Sequence, residues 1–171
     1  MNTKSKSDLT ALPIHTPQGR FVARYSVKGL AALEFPTQLR RTFVRRNTLP
    51  MTIRRWHRAT AVALKRALMG RPPRMLPPLD LSRGTAFQQR VWAALMKIPR
   101  GQTRSYGEIA RMSGNEKAAR AVGGACGANP IPVFIPCHRV LAADHKLGGF
   151  SGGLEWKRQL LWREEAREWW G

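Results

Sequence analysis

A proline-rich segment near the middle of the chain most constrains how it can fold. The residues GRPPRMLPPLDLS, from Gly70 to Ser82, include four prolines. Each proline fixes φ and lacks a backbone N–H, so no helix or central strand can run through the segment. A chain of 171 residues has room for one ordinary domain or two small ones. We predict an N-terminal α/β domain with its Pro-rich connection at residues 1–81 and a second domain at residues 82–171.

The segment before this boundary predicts a β-hairpin followed by a helix. Residues 19–25 and 30–35 are short runs with β-branched and aromatic side chains, separated by a turn. From Ile53 to Met69 apolar residues recur at helical spacing, and Gly70 stands where a C-cap glycine is expected. The first dozen residues are predicted to be frayed.

The segment after the boundary predicts a series of short helices. Residues 85–98 and 105–114 each open on a capping box, and residues 116–125 follow after a short turn. Two short helices joined by about four residues have helix-turn-helix spacing, although core packing explains the same pattern equally well. A last helix is predicted from Leu154 to Trp170.

The helix at residues 116–125 has an unusual composition. Its sequence KAARAVGGA is nearly all small residues, with Arg120 as the one long side chain beyond Lys117. A helix that reads bases in the major groove needs several Arg, Asn or Gln side chains, which disfavours a sequence-specific regulator. Small residues let the backbone approach DNA closely, and one arginine can fill the space of a displaced base. The alternative is that they only permit close helix packing.

The net charge of +20 points to a polyanionic partner. Such a surface attracts nucleic acid, and it argues against a papain-like hydrolase. Much of the excess lies in basic pairs that could follow phosphates or simply be solvated: Arg40-Arg41, Arg45-Arg46 and Arg54-Arg55, with Arg58 nearby.

The chain lacks the sequence features of a membrane or secreted protein. No apolar stretch approaches the roughly 20 residues that a spanning helix needs. The start MNTKSKSDLT has no apolar segment behind its lysines. We therefore expect a soluble cytoplasmic protein with no membrane partner. In a reducing compartment Cys126 and Cys137 are expected to be free thiols rather than a disulfide.

A cysteine next to a histidine is the strongest chemical signal in the chain. Residues 133–135 predict a short buried strand that delivers Cys137 and His138. A thiol becomes a nucleophile when a base removes its proton. Neighbouring side chains of a strand point to opposite faces, so His138 could serve Cys137 only through a bend or a bridging water. An inert buried cysteine is the alternative.

A carboxylate can complete this pair. Glu164 falls three and four positions after Leu161 and Leu160, on the apolar face of the last predicted helix. A carboxylate on such a face needs a partner. His138 is one candidate, because a Glu-His-Cys relay would orient the imidazole and stabilise its cation. An arginine or lysine is the other.

These segments together resemble a known family. The run NPIPVFIPCHRV, preceded by AARAVGGACGA and followed by GGFSGGLEWKRQLL, is similar to the methylated-DNA–protein-cysteine methyltransferases, the O6-alkylguanine-DNA alkyltransferases. FQQRVWAAL and TRSYGEIA also stand in order and at family spacing. The likeness extends from about Thr85 to Glu164, whereas the first 80 residues match loosely through PQGRF.

The resemblance implies an α+β fold. A small N-terminal, sheet-containing, ribonuclease H-like domain would precede a mainly helical, winged-helix-like domain with a helix-turn-helix. It implies no metal and no cofactor. The partner would be double-stranded DNA, bound in the minor groove largely without regard to sequence by a monomer.

The resemblance also implies a role for each residue of the site. Cys137 would accept the alkyl group, His138 would deprotonate it through a water, and Glu164 would orient His138. Tyr106 would donate to guanine N3 and Asn129 would brace the reactive loop. Contacts to DNA or the extruded guanine would come from Arg120, Ser151, Ala118, Ala119, Ala121, Gly123 and Val140. Phe150 stands where some family members have tyrosine, so no hydroxyl contact is expected there.

The implied activity is direct-reversal repair that each molecule performs once. The alkyl group of O6-alkylguanine flipped from the duplex would move irreversibly to Cys137, because a thioether is stable. Activity on O4-alkylthymine is left open. The alternative is a non-catalytic DNA-binding module of the same fold, although such relatives lack the reactive cysteine.

Overall fold

The computed structural model describes residues 9–36, 49–142 and 145–166. The N-terminal part consists of three strands and one helix: β1 (Thr10–Thr16), β2 (Gly19–Ser26), β3 (Gly29–Glu34) and α1 (Met51–Leu68). The C-terminal part consists of α2 (Ala86–Leu95), β4 (Arg104–Ser105), α3 (Tyr106–Met112), α4 (Ala119–Gly127), β5 (Val140–Leu141) and α5 (Leu154–Arg163). Single 3₁₀ turns lie at Glu116–Ala118 and Cys137–Arg139.

The N-terminal strands form an antiparallel sheet in the order β1-β2-β3. The predicted hairpin is confirmed as β2 and β3, but the prediction of frayed residues up to position 12 is wrong from Thr10 onward. Pro13 lies within β1 and obscures the strand pattern. Because β1 is an edge strand, the missing N–H of Pro13 does not interrupt the centre of the sheet.

Helix α1 covers one face of this sheet with its apolar side. Ile53, Thr60, Ala63, Leu64 and Leu68 are its buried residues. The predicted cap is confirmed, because Gly70 follows the helix with a φ of 69°. The pairs Arg40-Arg41 and Arg45-Arg46 lie outside the described residues, whereas Arg54, Arg55 and Arg58 are exposed on α1.

The proline-rich segment runs along the sheet rather than away from it. The carbonyl of Pro78 accepts from Leu30 N–H at 2.8 Å, and Asp80 N–H donates to the Leu30 carbonyl at 2.8 Å. The N-terminal and C-terminal parts share aromatic contacts, since the ring of Trp156 on α5 lies 5.3 Å from Phe21 and 5.0 Å from Phe35. The connection therefore links two halves that pack on one core.

Both predicted capping boxes begin helices in the C-terminal half. Thr85 and Gln88 cap α2, and Ser105 and Glu108 cap α3. Helix α2 ends at Leu95, three residues before the predicted end. Helix α4 runs to Gly127 after the initial 3₁₀ turn. Helices α3 and α4 have the predicted spacing and pack on each other, and α4 also packs on α2. No helix within the described residues is long and apolar enough to cross a bilayer.

Candidate active site

Residues 129–136 form a tight turn, so the predicted strand at residues 133–135 is wrong. Val133 has a φ of 78°, and Ile135 N–H donates to the Ile131 carbonyl at 3.0 Å. Three prolines in this segment lack the N–H groups that a ladder requires. Asn129 supplies the missing bonds, since its amide nitrogen donates to the Ile135 carbonyl at 2.8 Å and its oxygen accepts from Ile131 N–H at 3.0 Å.

The turn delivers Cys137 to a buried position. The cysteine begins a 3₁₀ turn and is only 3% exposed. The side-chain amide of Asn129 also donates to its sulfur at 3.0 Å. Burial raises the pKa of Cys137 to about 11, although the Asn129 hydrogen bond and the positive charge of Lys157 act to lower it. The thiol is therefore protonated at neutral pH and needs a base before it can react.

His138 lies directly beside that thiol in sequence and pairs with Glu164. Its Nε2 is 3.1 Å from Oε1 of Glu164. Burial lowers the pKa of His138, against the hydrogen bond and charge of Glu164, so the ring is neutral at pH 7. A carboxylate only accepts, so Nε2 carries the proton. Nδ1 then has a free lone pair, and no described residue hydrogen-bonds to it.

Glu164 binds an arginine as well as the histidine. Arg139 Nε donates to Oε2 at 2.8 Å, and Arg139 Nη2 donates to Oε1 at 2.8 Å. Burial acts to raise the pKa of Glu164, but the hydrogen bonds from Arg139 and His138 outweigh it and lower the pKa to about 2. Glu164 therefore binds both of the partners that the sequence analysis considered, His138 and an arginine. Helix α5 ends at Arg163 and Glu164 is its C-cap, while residues 167–171 lie outside the described residues.

Acid is expected to lower the stability of the folded protein over two pH ranges because of the His138–Glu164 pair. The pKa of His138 is below its ordinary value of 6.5 in the folded protein, so stability falls as pH drops through about 6.5. The pKa of Glu164 is lowered from 4.5 to about 2, so its contribution is lost as pH falls through that range. Thermal midpoints between about pH 8 and 3 would measure this. A midpoint that stays constant or rises on acidification contradicts it.

A small cavity opens above the thiol. Its volume is about 260 Å³, and it is lined by Tyr106, Gly123, Cys126, Gly127, Cys137, Gly149, Phe150 and Ser151. Tyr106 is the first residue of α3 and is partly buried, which raises the pKa of its hydroxyl. Predicted residues from four separate segments, Tyr106, Gly123, Cys137 and Ser151, therefore meet around one space.

The remaining predicted residues lie on or under α4 and on β5. Arg120 and Ala121 are exposed, Ala119 is partly buried, and Ala118 is buried. Arg120 precedes the cavity-lining Gly123 by three positions, which places both on one side of the helix. Val140 is buried in β5.

Lys157 is a buried residue of the site region that the sequence analysis missed. Its ammonium group is fully buried and donates to the carbonyls of Val140, at 2.6 Å, and Leu147, with Gly149 at 3.5 Å. Burial lowers its pKa to about 8, against the effect of the two thiols. One signal was available, because Lys157 stands three and four positions before the buried Leu160 and Leu161.

The fold and the site together define a class of protein. A buried thiol, followed in sequence by a carboxylate-paired histidine, lines a small cavity whose walls include α3 and α4. Such an arrangement is suited to a cysteine nucleophile beside two helices that have the spacing of a nucleic-acid-binding motif. Across the described ranges, no group of three His, Cys, Asp or Glu side chains is placed to hold a metal ion.

Comparison with known proteins agrees with this class. The family model for the DNA binding domain of 6-O-methylguanine DNA methyltransferase matches residues 86–166. The methylated-DNA–protein-cysteine methyltransferase of Mycobacterium bovis is 61% identical over 89 residues, which is 52% of this chain and 53% of that protein. The one of Haemophilus influenzae is 57% identical over 82 residues, or 48% of this chain and 46% of that protein. The chain spans about half the length of the curated relatives it matches.

The likeness to solved structures covers nearly the whole chain. The crystal structure of Mycobacterium tuberculosis OGT in complex with DNA has a TM-score of 0.76 and 41% identity, over 91% of this chain and 92% of that one. The structure of the O6-methylguanine methyltransferase of the same organism has a TM-score of 0.73 and 38% identity, over 93% and 94%. The chain therefore belongs to the methylated-DNA–protein-cysteine methyltransferase family.

Proposed function

We propose that this protein repairs DNA directly, by taking the alkyl group from O6-alkylguanine in duplex DNA onto its own Cys137. The observation that carries the proposal is that the buried thiol of Cys137 lines a cavity, and that the next residue, His138, has a neutral imidazole paired with Glu164. A thiol with a pKa of about 11 is inert without such a base. The family relatives bear this activity in their names.

The first step is removal of the thiol proton. The proton of Cys137 passes through a bridging water to Nδ1 of His138, because that nitrogen has a free lone pair when Nε2–H donates to Glu164. The resulting imidazolium is stabilised by the carboxylate. Asn129 holds the sulfur in place and donates to the thiolate.

The second step is displacement at the alkyl carbon. The thiolate forms a bond to that carbon while the bond from the carbon to guanine O6 breaks, and the electron pair leaves with the guanine. Tyr106 donates to guanine N3 and offsets the developing negative charge. Ser151 contacts the extruded base. The thioether product is stable, so each molecule reacts once.

DNA is bound from the side of the helix-turn-helix. The exposed Arg120 enters the duplex and fills the space of the flipped base, and small residues such as Ala119 and Ala121 let α4 approach the minor groove. The protein acts in the cytoplasm as a monomer. Residues 1–81 form a ribonuclease H-like domain and residues 82–171 a winged-helix-like domain, as the family resemblance implies.

The experiment that tests this function is transfer of label from duplex DNA that carries labelled O6-methylguanine. The expected result is covalent label on the protein that stops at one alkyl group per molecule and leaves guanine in the DNA. Binding to the lesion without any covalent label would instead establish the non-catalytic alternative.

Arg120→Ala is expected to slow reaction with alkylated duplex far more than reaction with free O6-benzylguanine. Only the duplex requires a base to be unstacked and its place filled, which costs a few kcal/mol. The ratio of the two second-order rate constants measures the effect, with Lys117→Ala as a control on the preceding turn. Equal losses on both substrates would eliminate the intercalating role.

Lys157→Met is expected to slow alkyl transfer at least tenfold and to lower the thermal midpoint, because the carbonyls of Val140 and Leu147 lose their donor. The carbonyls bound by Lys157 fix the loop at residues 147–149 to β5, and this loop leads into the cavity wall. Methionine has a similar volume and leaves no buried charge, so packing is largely kept. Lys146→Met, an exposed lysine in the same loop, should behave like wild type. Normal transfer by Lys157→Met would show that the loop holds its position without the lysine.

A further inference from the structure

Helix α1 carries an excess of positive charge that the mechanism does not use. Its 18 residues include five Lys or Arg and no Asp or Glu. The sequence around it has the same bias, since residues 35–79 contain no acidic residue at all. The helix lies in the N-terminal half, outside the helix-turn-helix and the cavity.

The three arginines near the start of α1 are unfavourable for the helix itself, whereas Lys65 and Arg66 lie in its last turn, where cations are favourable. The N-terminal end of a helix carries a partial positive charge, yet the first turn of α1 has no acidic residue and Arg54 and Arg55 follow directly. Pro50 at the N-cap gives no side-chain hydrogen bond. Arg55 and Arg58 are three positions apart, where like charges repel. Local rules broken in this way are typical of functional surfaces.

The cations are grouped on the side of α1 that faces away from the sheet. Arg55, Arg58 and Lys65 are exposed at helical spacing, opposite the buried residues that pack on the strands. We call these three residues the basic face of α1. None of the three has an ion-pair partner within the part of the chain that the structure describes.

We propose that the basic face of α1 binds the phosphate backbone of duplex DNA outside the segment that the helix-turn-helix covers. The proposal rests on the proposed function and adds a second DNA contact to it. Guanidinium and ammonium groups spaced along an 18-residue helix, about 27 Å long, complement the regular charges of a duplex. Bound phosphates would also offset the repulsion within the helix.

A lipid surface fits the basic face less well. The exposed apolar residues nearby are Met51, Val62 and Met69, which are 76%, 54% and 60% exposed. They are separated by about 10 to 16 Å along the axis and form no continuous stripe. The continuous apolar side of α1 is already buried against the sheet. An interfacial helix needs such a side free to enter the membrane.

The test is a double charge reversal, Arg55→Glu with Arg58→Glu, measured on undamaged duplexes of two lengths. The shorter covers about one helical turn, roughly 10 bp, and the longer about three turns. Each lost phosphate contact lowers the salt slope of log K by about 0.9. On the long duplex we expect the slope to fall by about two and affinity at low salt to fall about tenfold or more.

The matched control changes the same charge elsewhere. Lys97→Glu with Lys146→Glu reverses two exposed cations that are not part of α1, and its effect on the long duplex is expected to be much smaller. On the short duplex the two variants should be alike. The α1 variant should also melt close to the wild-type midpoint, because both positions are exposed and one like-charge pair replaces another. A structural defect would lower the midpoint and the affinity together.

Two results would overturn the proposal. One is an equal loss of long-duplex affinity in both variants, which would mean a general charge effect. The other is unchanged long-duplex affinity with loss of binding to phosphatidylserine vesicles, which would make the partner a membrane. Failure of the repair function is separate, since it appears as absence of alkyl label on wild-type protein, whereas the α1 variant should accept label normally from a short methylated duplex.

Discussion

Replacing Cys137 by serine is expected to abolish alkyl transfer and leave binding to undamaged duplex close to that of wild type. A serine hydroxyl is far less acidic than a thiol, and a neutral imidazole cannot generate the alkoxide in a buried site. The change is small in volume, so the turn around Asn129 should remain. The proposed DNA binding depends on the exposed basic surface, which is unaltered.

Cys126→Ser is the matched control. Cys126 lines the same cavity and is buried, and burial with the nearby Cys137 raises its pKa to about 12. Of the two cysteines, only Cys137 is followed in sequence by the histidine that pairs with Glu164, so Cys126→Ser should retain transfer. The comparison uses labelled methylated duplex for transfer and fluorescence anisotropy for binding. Full transfer by Cys137→Ser, or complete loss in Cys126→Ser, would reverse the assignment.

Glu164→Gln is expected to reduce the rate of transfer at least a hundredfold. The amide is neutral, so it cannot stabilise the imidazolium of His138, and its NH₂ group can favour the wrong tautomer of the ring. It also weakens the paired hydrogen bonds from Arg139. Reaction of Cys137 with iodoacetamide should slow as well, because that reagent needs the thiolate but not the guanine pocket.

The control for this variant lies on the same helix. Glu155→Gln removes an exposed carboxylate at the start of α5 and should leave the rate unchanged. Weakening the hydrogen bonds between Arg139 and residue 164 is expected to lower the free energy of unfolding by about 1 to 3 kcal/mol. Thermal melting measures this loss of stability separately from the loss of rate. Wild-type rates on both reagents for Glu164→Gln would show that the carboxylate does not act through His138.

Local signals predicted the helices well. The capping boxes at Thr85 and Ser105 place the starts of α2 and α3 correctly, because each box satisfies backbone donors that only a helix leaves free. The sequence also predicted a partner for the Glu164 carboxylate and left His138 and a basic residue open, and both His138 and Arg139 bind it. Such features depend on a few neighbouring residues or on a simple rule about buried charge.

Features that depend on distant partners were not predictable. A strand was predicted at residues 133–135 because Val133, Phe134 and Ile135 are apolar. The hydrogen bonds of Asn129 and the prolines of this segment produce a turn instead. Strand β1 was not predicted, because a strand that contains Pro13 is acceptable only at a sheet edge, and the local sequence pattern does not reveal which strand is at the edge. The carbonyl partners of Lys157 lie between 8 and 17 positions away in the chain, and only folding brings them together.

The most direct test of the account is to locate the alkyl group after wild-type protein has reacted with duplex that carries labelled O6-methylguanine. Peptide mass mapping is expected to find one methyl group on the sulfur of Cys137 and none on Cys126, with unmodified guanine left in the DNA. Label on Cys126, more than one methyl group released per protein molecule, or bound DNA with no protein label would each contradict it.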